Sequence, residues 1–455
     1  MSTLVITNAA IAIVDAAGTE HRDGHLVATD GVITAVGAGP APATSDDARV
    51  IDGRGCLLTP GLVNTHHHLF QWATRGYAVD QTLFEWLTTL YPIWAGIDEE
   101  TVGAAATAGL AWLARSGCTT TTDHHYLFPR GGGDLLGSTV DAARRVGLRF
   151  HPTRGSMDLG RSQGGLPPDH VVESLDTVLT ASAEAVQRFH DPAPGAMVRV
   201  AIAPCAPFTV TRDLLTESAR LARDLGVRLH THIAETIDED EFCRQRFGCT
   251  PVAYLDRLGW LGEDVWLAHG IHLDDAAIAR LAETGTGVAH CPSSNARLGA
   301  GTARVHDLLL AGVPVGLGVD GAASHEAGRL VEELRQATYA ARGRVDHRGL
   351  AGPRALTVRQ SLAMATIGGA RCLGRADEIG SLEVGKRADL ALWRLDGLAH
   401  TGIDDPVAAL VLGAAPALEL LAVDGRVVVE RDVLSTVDED QVVTELRRAC
   451  ARLRP

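Results

Sequence analysis

Short apolar segments alternate with amphipathic stretches through the middle of the chain. Eight strand-like segments start near residues 62, 118, 148, 198, 227, 265, 286 and 314, and each is followed by a helical stretch or a long loop. This order predicts parallel strands joined by crossover helices. The length of the segment from His66 to Asp320 matches the ~250 residues of a (β/α)8 barrel of the TIM type. A doubly wound open sheet is the alternative, but no GxGxxG sequence follows the first strand.

Both ends of the chain show a different pattern, in which short apolar runs are broken by Gly and Asp. Such runs are LVITNAAIAIVD and ARVIDGRG near the start, and ADLALWRLD and RVVVERD near the end. Neither end alone is expected to close a hydrophobic core. We therefore expect residues 1–59 and 376–435 to form one small β-sandwich domain. Residues 60–375 would form the α/β barrel, and residues 436–455 a C-terminal helix.

Composition narrows the class of protein. The 455 residues are 46% hydrophobic, and 41 Lys and Arg against 56 Asp and Glu give a formal net charge of -15. An acidic chain does not favour nucleic-acid or anionic-membrane binding, and no apolar run reaches the ~18 residues of a transmembrane helix. The 8 cysteines are scattered without a CxxC pair, and the first residues lack a basic signal-peptide region. We expect a cytoplasmic protein with free thiols and no membrane or nucleic-acid partner.

Grouped histidines at predicted strand ends suggest metal chemistry. The first strand ends in three consecutive histidines, and because side chains in a strand alternate faces, His66 and His68 point the same way. The fifth strand ends in His230-Thr231-His232, with Glu235 one turn further on. His232 would face the mouth of the barrel, whereas His230 lies a layer deeper and is expected to be a core histidine. Two or three imidazoles with a nearby carboxylate suit a metal site with a proton carrier.

Two further strand ends complete the candidate site. The sixth strand ends in His269 and the eighth in Asp320. Core packing is the alternative role for His269, and capping of the next helix is the alternative for Asp320. Together His66, His68, His232 and Asp320 offer three nitrogens and one carboxylate oxygen, which suit Zn²⁺ and also Fe²⁺ or Mn²⁺. A position left open for water predicts metal-assisted hydrolysis.

These residues lie in motifs that resemble the amidohydrolase superfamily in order and spacing over essentially the whole chain. The motifs are PGLVNTHHHL (60–69), HTHIAET (230–236), LAHGIHL (267–273), HCPSSNARLGAG (290–301), GLGVDGAAS (316–324) and GSLEVGKRADLALW (380–393). The pattern is that of the branch that deaminates nucleobases and related heterocycles. The resemblance implies one divalent metal ion, zinc first and iron as the alternative. No Lys ends the fourth strand, where binuclear branches carry a carboxylated lysine.

The same resemblance implies roles for the site residues. His66, His68, His232 and Asp320 would hold the metal, and Asp320 would also act as general base. Glu235 would carry a proton to a ring nitrogen. The sixth-strand residue, His269, would help to activate water and hold the developing charge.

Loop segments are more similar to those of bacterial 8-oxoguanine deaminases, and the chain also resembles s-triazine hydrolases. The segments are HHHLFQWATR (66–75), LFEWLTTLYPIWA (83–95), GSMDLGRSQGGLPPD (155–169), APCAPFTVT (203–211) and GVAHCPSSNARLGAG (287–301). The implied reaction is hydrolytic deamination of 8-oxoguanine or a related guanine-type purine. Dechlorination or deamination of a triazine is the alternative, and a non-catalytic metal-binding scaffold or sensor is the alternative from another class. The implied partners are a small heterocyclic substrate and further copies of the chain in a homo-oligomer.

Five residues in or near these segments are candidates for binding the ring. They are Gln71, Trp86, Tyr126, Arg154 and Phe208. Paired hydrogen bonds from the glutamine, stacking on the aromatic rings and an ionic contact from the arginine would suit a planar purine. Glu85, Ser293 and His325 depart from the motif pattern, and the sequence predicts no role for them.

Overall fold

The computed structural model describes residues 2–344 and 352–454. Residues 345–351, inside the segment predicted as the barrel, and the terminal residues 1 and 455 lie outside the described part. The strands are β1 Thr3–Ala12, β2 Glu20–Thr29, β3 Val32–Ala38, β4 Arg49–Asp52, β5 Cys56–Pro60, β6 Leu62–Asn64, β7 His67–His68, β8 Cys118–His125, β9 Arg149–Ser156, β10 Ala201–Pro204, β11 Arg228–Ile233, β12 Val265–His269, β13 Gly287–His290, β14 Val315–Leu317, β15 Asp320–Gly321, β16 Leu390–Arg394, β17 Leu418–Val423, β18 Arg426–Glu430 and β19 Val433–Leu434.

Helices follow most of the barrel strands. They are α1 Leu83–Trp94, α2 Glu99–Arg115, α3 Leu135–Val146, α4 Leu175–Phe189, α5 Arg212–Asp224, α6 Ile237–Phe247, α7 Pro251–Arg257, α8 Asp275–Thr284, α9 Pro292–Arg297, α10 Val305–Leu310, α11 Leu330–Gly343, α12 Val358–Ala363, α13 Gly369–Cys372, α14 Pro406–Leu412 and α15 Glu439–Arg452. Short 3₁₀ turns cover Leu69–Thr74 and Arg161–Gln163, and a π-helical turn at Met364–Gly368 joins α12 to α13.

Eight parallel strands close into a barrel in the order β6, β8, β9, β10, β11, β12, β13 and β14, with β14 beside β6. Each barrel strand begins within about three residues of its predicted start. The two-residue strands β7 and β15 pair with each other just beyond the ends of the first and last barrel strands. The TIM-type barrel predicted from the alternation of strands and helices is confirmed.

The helix α5 shows why these sequences form the outer layer. Thr211 caps its first turn, because the Thr211 side chain accepts a hydrogen bond from the Leu214 backbone N–H. The buried residues of the helix recur at helical spacing and form one face: Leu214, Leu215, Ser218, Ala219 and Ala222. An apolar stripe of this kind packs on the barrel while charged residues stay in solvent.

Strands from the two ends of the chain form one nine-stranded sheet. The antiparallel pairing of β5 with β16 joins the N-terminal strands to the C-terminal ones. Apolar side chains from both parts pack into a single cluster that includes Ile6, Leu26, Leu58, Leu390 and Leu420. The prediction that both ends contribute to one small β-structure is confirmed.

The C-terminal helix α15 packs against α2 on the outside of the barrel. Asp438 caps it through the Gln441 backbone N–H, and Arg452 near its end forms ion pairs with Asp98 and Glu100. All eight cysteines are free thiols. Within the described residues, no helix has the length and apolar character needed to cross a membrane.

A buried ion pair joins the barrel to the end sheet. The Arg149 guanidinium of β9 donates to Asp389 from Nε at 2.8 Å and from Nη2 at 3.0 Å. Both side chains are buried, and Asp389 also accepts the Asp424 backbone N–H at 2.7 Å. Because charges removed from water need partners, the contact makes the relative position of barrel and sheet specific.

We predict that Asp389→Asn destabilises the fold by up to about 3–5 kcal/mol, because it removes the buried partner of the Arg149 charge and leaves only the Asp424 carboxylate, at 3.5 Å. Urea unfolding followed by circular dichroism and tryptophan fluorescence measures the loss. Asp141→Asn is the matched control, since Asp141 pairs with Arg144 at an exposed site on α3. Equal unfolding midpoints for Asp389→Asn and Asp141→Asn would contradict the prediction.

Candidate active site

A cavity with about 420 Å³ of empty space lies at the carboxyl ends of the barrel strands. This is the end at which catalytic groups of such barrels are found. His68 on β7, His232 on β11, His269 at the end of β12 and Asp320 on β15 all line it, together with Glu235. Residues far apart in the sequence therefore meet because their strands end at the same face of the barrel.

Each of the four predicted metal ligands has a nitrogen or oxygen atom within 3.3 Å of such an atom in another of the four. His66 Nε2 and His68 Nε2 are each 3.3 Å from Asp320 Oδ1. His68 Nε2 is 3.1 Å from His232 Nε2. The four side chains are buried.

Backbone carbonyls fix which ring nitrogen carries the proton in two of these histidines. His68 Nδ1 donates to the His124 carbonyl at 2.7 Å, and His232 Nδ1 donates to the Cys205 carbonyl at 2.6 Å. Both Nε2 atoms then present lone pairs to each other. Facing lone pairs about 3 Å apart repel unless a cation lies between them, and Zn–N bonds of about 2.0–2.1 Å in tetrahedral geometry suit this spacing. The donor set therefore fits a divalent metal ion.

His230 fixes the third imidazole. Its Nδ1 donates to the Trp266 carbonyl at 2.8 Å, so its Nε2 accepts a hydrogen bond from His66 Nδ1 at 2.9 Å. His66 Nε2 then carries a lone pair that is available to a metal ion, and it has no hydrogen-bond partner among the described residues. His230 is fully buried as predicted, but its contact with His66 was not predicted.

His124 is a second residue that the sequence reasoning missed. Its ring stacks on His232 with centroids 4.6 Å apart, and its nitrogen lies within 4.8 Å of the corresponding atoms of His66, His68 and His232. His124 Nε2 donates to the Ala203 carbonyl at 3.0 Å. The sequence DHHY at the end of the second barrel strand was the available signal, since it also places two histidines at a strand end.

Burial keeps the rings of His66 and His232 neutral. It holds the pKa of His66 and of His232 well below the usual value, because a charged ring would lose its hydration. Burial opposes ionisation of Asp320, but its close contacts with the rings of His66 and His68 outweigh that effect and hold its pKa well below the usual value. Neutral nitrogens and an ionised carboxylate are the protonation states that bind a cation.

Glu235 and His269 lie next to this set. His269 Nε2 is 3.6 Å from Glu235 Oε2 and 3.9 Å from Asp320 Oδ2, and His269 Nδ1 donates to Asn295 Oδ1 at 3.0 Å. Burial, with a smaller contribution from Asp320, raises the pKa of Glu235 to about 8. The buried carboxylate of Glu239 accepts the Glu235 backbone N–H at 2.9 Å and holds this turn in place. Glu235 is therefore able to give up a proton at neutral pH.

Four of the five predicted substrate-binding residues line the cavity, namely Gln71, Trp86, Tyr126 and Phe208. Gln71 is buried, and its Oε1 has no partner among the described residues. The structure places Arg154 outside this lining. Its Nη2 bonds both oxygens of Glu173 at 2.7 and 2.9 Å, and its guanidinium lies 3.6 Å from the centre of the Phe128 ring.

The structure also gives Glu85 a role, at the start of α1. The Glu85 carboxylate accepts the Thr82 backbone N–H at 3.0 Å and the Thr82 hydroxyl at 2.9 Å. This arrangement is a capping box, which satisfies the first turn of a helix. Glu85 therefore stabilises the helix that covers the cavity and does not line it.

The model of the amidohydrolase family matches residues 57–429. The chain belongs to the amidohydrolase family. The matched segment contains the whole barrel and most of the C-terminal strands of the sheet.

Individual relatives of this amidohydrolase are deaminases. It is 44% identical over 445 residues to 8-oxoguanine deaminase from Pseudomonas aeruginosa, which covers 97% of each chain. It is 37% identical over 474 residues to isoxanthopterin deaminase from an unknown prokaryotic organism, covering 99% of this chain and 97% of the other. Among solved structures, atrazine chlorohydrolase from Arthrobacter aurescens complexed with zinc superposes with a TM-score of 0.92 at 33% identity, covering 98% and 100% of the two chains.

We predict that His230→Phe weakens zinc binding about 10–100-fold, because His66 loses the acceptor that fixes its ring. Phenylalanine keeps the packing on Trp266, whose ring centroid is 4.5 Å from that of His230. Competition with a chromophoric chelator measures the affinity. His151→Phe is the matched control, since His151 also contacts the Trp266 ring, at 5.6 Å, but is not bonded to His66 in the described structure. Zinc affinity unchanged in His230→Phe, or equally reduced in both, would contradict the prediction.

Proposed function

We propose that this amidohydrolase is an aminohydrolase that removes the exocyclic amino group of a guanine-type purine. Its preferred substrate would be 8-oxoguanine, and the products would be urate and ammonia. The observation that carries the proposal is the pairing of two carboxyl groups with opposite pKa shifts across one cavity. Asp320 is held ionised, whereas Glu235 is held protonated to about pH 8. Such pairs divide the roles of base and acid between them.

One divalent ion would be held by His66, His68, His232 and Asp320. We assign zinc to this site, with iron as the alternative. The donor atoms and the facing lone pairs support this assignment, as does the zinc in the related atrazine chlorohydrolase structure. The fourth barrel strand ends at Pro204, followed by Cys205, and so offers no lysine for a bridged pair of metals. A divalent cation bound there supplies Lewis acidity, which makes water acidic enough to ionise near neutral pH.

The two carboxyl groups then move protons in opposite directions. Asp320, ionised and beside the donor nitrogens, accepts a proton from the attacking water. Glu235, protonated, gives a proton to the ring nitrogen next to the carbon that is attacked. The amino group on that carbon takes the proton from Asp320 and leaves as ammonia as the C–N bond breaks. The remaining hydroxyl proton of the adduct passes to Glu235 as the carbonyl forms, so both carboxyl groups return to their starting states and the atoms and charges balance.

His269 would serve the same step from between the two carboxyl groups. Because its Nδ1 donates to Asn295, a neutral His269 presents the Nε2 lone pair toward Glu235 and Asp320. It can therefore share the proton taken from water. As a cation it would stabilise negative charge on the oxygen added to the ring.

The cavity walls suit a flat ring with hydrogen-bonding edges. Trp86, Tyr126 and Phe208 provide aromatic surfaces, and the unpartnered Oε1 of Gln71 can accept a ring N–H. A ring without a donor at that edge would leave the buried amide oxygen unsatisfied, at a cost of about 1–3 kcal/mol. This favours a lactam-containing purine or pterin. Arg154 is not proposed as a ligand for the ring, because Glu173 already neutralises it.

A triazine hydrolase is the second candidate. Its support is the relationship to hydroxydechloroatrazine ethylaminohydrolase from Pseudomonas sp., which is 39% identical over 451 residues, and the shared fold with atrazine chlorohydrolase. Both candidates use the same attack on a ring carbon and differ in the leaving group. Ammonia, alkylamine and chloride release therefore distinguish them.

The deciding experiment is a release assay with zinc-loaded protein over 8-oxoguanine, guanine, isoxanthopterin and chlorinated or alkylamino triazines. Ammonia release with the highest kcat/KM on 8-oxoguanine supports the proposal. Faster release of chloride or alkylamine from a triazine would replace it with the second candidate. No release from any ring at full zinc loading would favour a metal-binding scaffold or sensor.

We predict that Glu235→Gln lowers kcat about 10²–10⁴-fold, because the amide cannot donate an acidic proton. Zinc content should stay at the wild-type level, since Glu235 is not among the proposed ligands. Ammonia release and metal analysis on the same samples measure both. Glu241→Gln is the matched control, because Glu241 is exposed on α6. Wild-type turnover in Glu235→Gln would remove Glu235 from the mechanism.

Two other expectations from the sequence are carried forward as part of the proposal. One is a cytoplasmic location, and the other is assembly into a homo-oligomer. Analytical ultracentrifugation of the purified protein tests the second. A monomer at micromolar concentration would contradict it.

A further inference from the structure

A buried cluster lies behind the cavity and contains two of the residues for which the sequence predicted no role. Glu333 on α11 is fully buried, and its Oε2 accepts the Ser293 backbone N–H at 3.1 Å. The Ser293 hydroxyl donates to the other carboxylate oxygen, Oε1. His325 Nε2 lies 3.5 Å from the same Oε1. Glu333 thus joins the first turn of α9, which follows β13, to the loop after β15.

The first turn of α9 and the loop after β15 both form hydrogen bonds at or next to Asp320. Next to Ser293, the Ser294 hydroxyl donates to Asp320 Oδ2 at 2.6 Å. From the loop after β15, His325 Nδ1 donates at 2.9 Å to the carbonyl of Val319, the residue before Asp320. Glu333 therefore contacts Ser293, the residue next to Ser294, and contacts His325 directly, although it does not touch Asp320 itself.

The Asp320 backbone needs this support. Its φ is 59°, in the left-handed region that residues other than glycine rarely occupy. A residue keeps such a conformation only where its surroundings determine it. The Ser294 hydroxyl holds the Asp320 side chain, and His325 holds the carbonyl of the preceding residue, Val319. Both hydrogen bonds help to set the direction of the carboxylate.

We propose that Glu333 is a positioning residue for Asp320, acting through Ser293 and His325. The Glu333 carboxylate fixes the first turn of α9 relative to the loop after β15, so that the Ser294 hydroxyl is placed to donate to Asp320 Oδ2. The inference rests on the proposed role of Asp320 as metal ligand and base. Glu333, Ser293 and His325 do not line the cavity in the described structure, so they are not expected to bind substrate.

The test is Glu333→Gln, which keeps the shape of the side chain. The amide oxygen can still accept the Ser293 N–H, but the amide nitrogen that faces the Ser293 hydroxyl can only donate to it, so the charge-assisted hydrogen bond from the hydroxyl to the carboxylate is lost. We expect a fall in kcat of about 10–100-fold with KM changed less than about 3-fold, and weaker metal binding by a similar factor. We also expect a shift in the visible absorption bands of the cobalt-substituted protein, which report the ligand geometry without any substrate.

Glu332→Gln is the matched control, because Glu332 is the preceding residue on α11 and its carboxylate lies 3.6 Å from Arg329 near the surface. It should leave kcat, metal affinity and the cobalt spectrum unchanged. Ser293→Ala is the second variant, since it removes only the hydroxyl contact. The double variant should lose no more than the weaker-binding single variant, because both substitutions break one linkage.

Wild-type kcat and an unchanged cobalt spectrum in Glu333→Gln would overturn the proposal. So would a loss of activity that adds to that of Ser293→Ala and accompanies lower thermal stability with an unchanged spectrum, since that is the behaviour of a residue needed only for folding. If Glu333→Gln does not fold, an unchanged spectrum in Ser293→Ala overturns the proposal and a shifted one supports it. Failure of every ring to release ammonia would refute the proposed function instead, because the cobalt spectra do not depend on substrate.

Discussion

The last strand of the barrel returns to lie beside the first, and the contacts that close the barrel there also assemble the site. Asn64 Oδ1 accepts the Val319 backbone N–H at 2.9 Å, and the Asp320 backbone N–H donates to the His66 carbonyl at 3.1 Å. His67 donates from Nδ1 to the Asp320 carbonyl at 2.5 Å. Local sequence cannot bring residues so far apart together, so the closure of the barrel sets the distance between the imidazoles and the carboxylate. Every other feature of the site depends on that distance.

Removal of water from this closed end has opposite effects on the two kinds of titratable group, and both effects serve the chemistry. It lowers the pKa of His66 and His232, so their rings are neutral and present lone pairs. It raises the pKa of Glu235, so that carboxyl group keeps a proton at neutral pH. One cause, the loss of hydration of charged forms, therefore gives both neutral nitrogens that suit a cation and a carboxyl group that retains its proton. Backbone carbonyls complete the preparation by fixing the tautomers of His68 and His232, which lowers the cost of ordering the ligands when a cation binds.

The sequence was sufficient for the features that depend on periodicity and on strand ends. Alternating apolar strands and amphipathic helices predicted the barrel, and parallel strands bring their carboxyl ends together, which is why His269 and Asp320 were found from their positions alone. The capping box of Thr82 and Glu85 follows the S/T-x-x-E pattern and could have been predicted, although the sequence analysis gave Glu85 no role. The contact of His230 with His66 could not be predicted, because it depends on side chains from strands that are distant in the sequence. Arg154 was proposed for an ionic contact with the ring, but the structure pairs it with Glu173 from a later loop, a contact that the sequence does not show.

Three residues other than glycine have left-handed backbone conformations at the strand ends that carry the cavity residues: Ala234 at φ 50°, His269 at φ 72° and Asp320 at φ 59°. Each follows or ends a barrel strand, and each conformation costs of order 1–3 kcal/mol. A regular strand would direct alternate side chains away from the barrel axis, whereas a left-handed residue turns the chain at the strand end and redirects the next side chains toward the cavity. The strain is offset by buried hydrogen bonds at the same places, such as Glu239 to the Glu235 N–H. Gly321 completes this arrangement, because a Cβ there would lie 1.8 Å from Gln71 Oε1. The strained positions are therefore those at which the fold trades backbone stability for the direction of a reactive side chain.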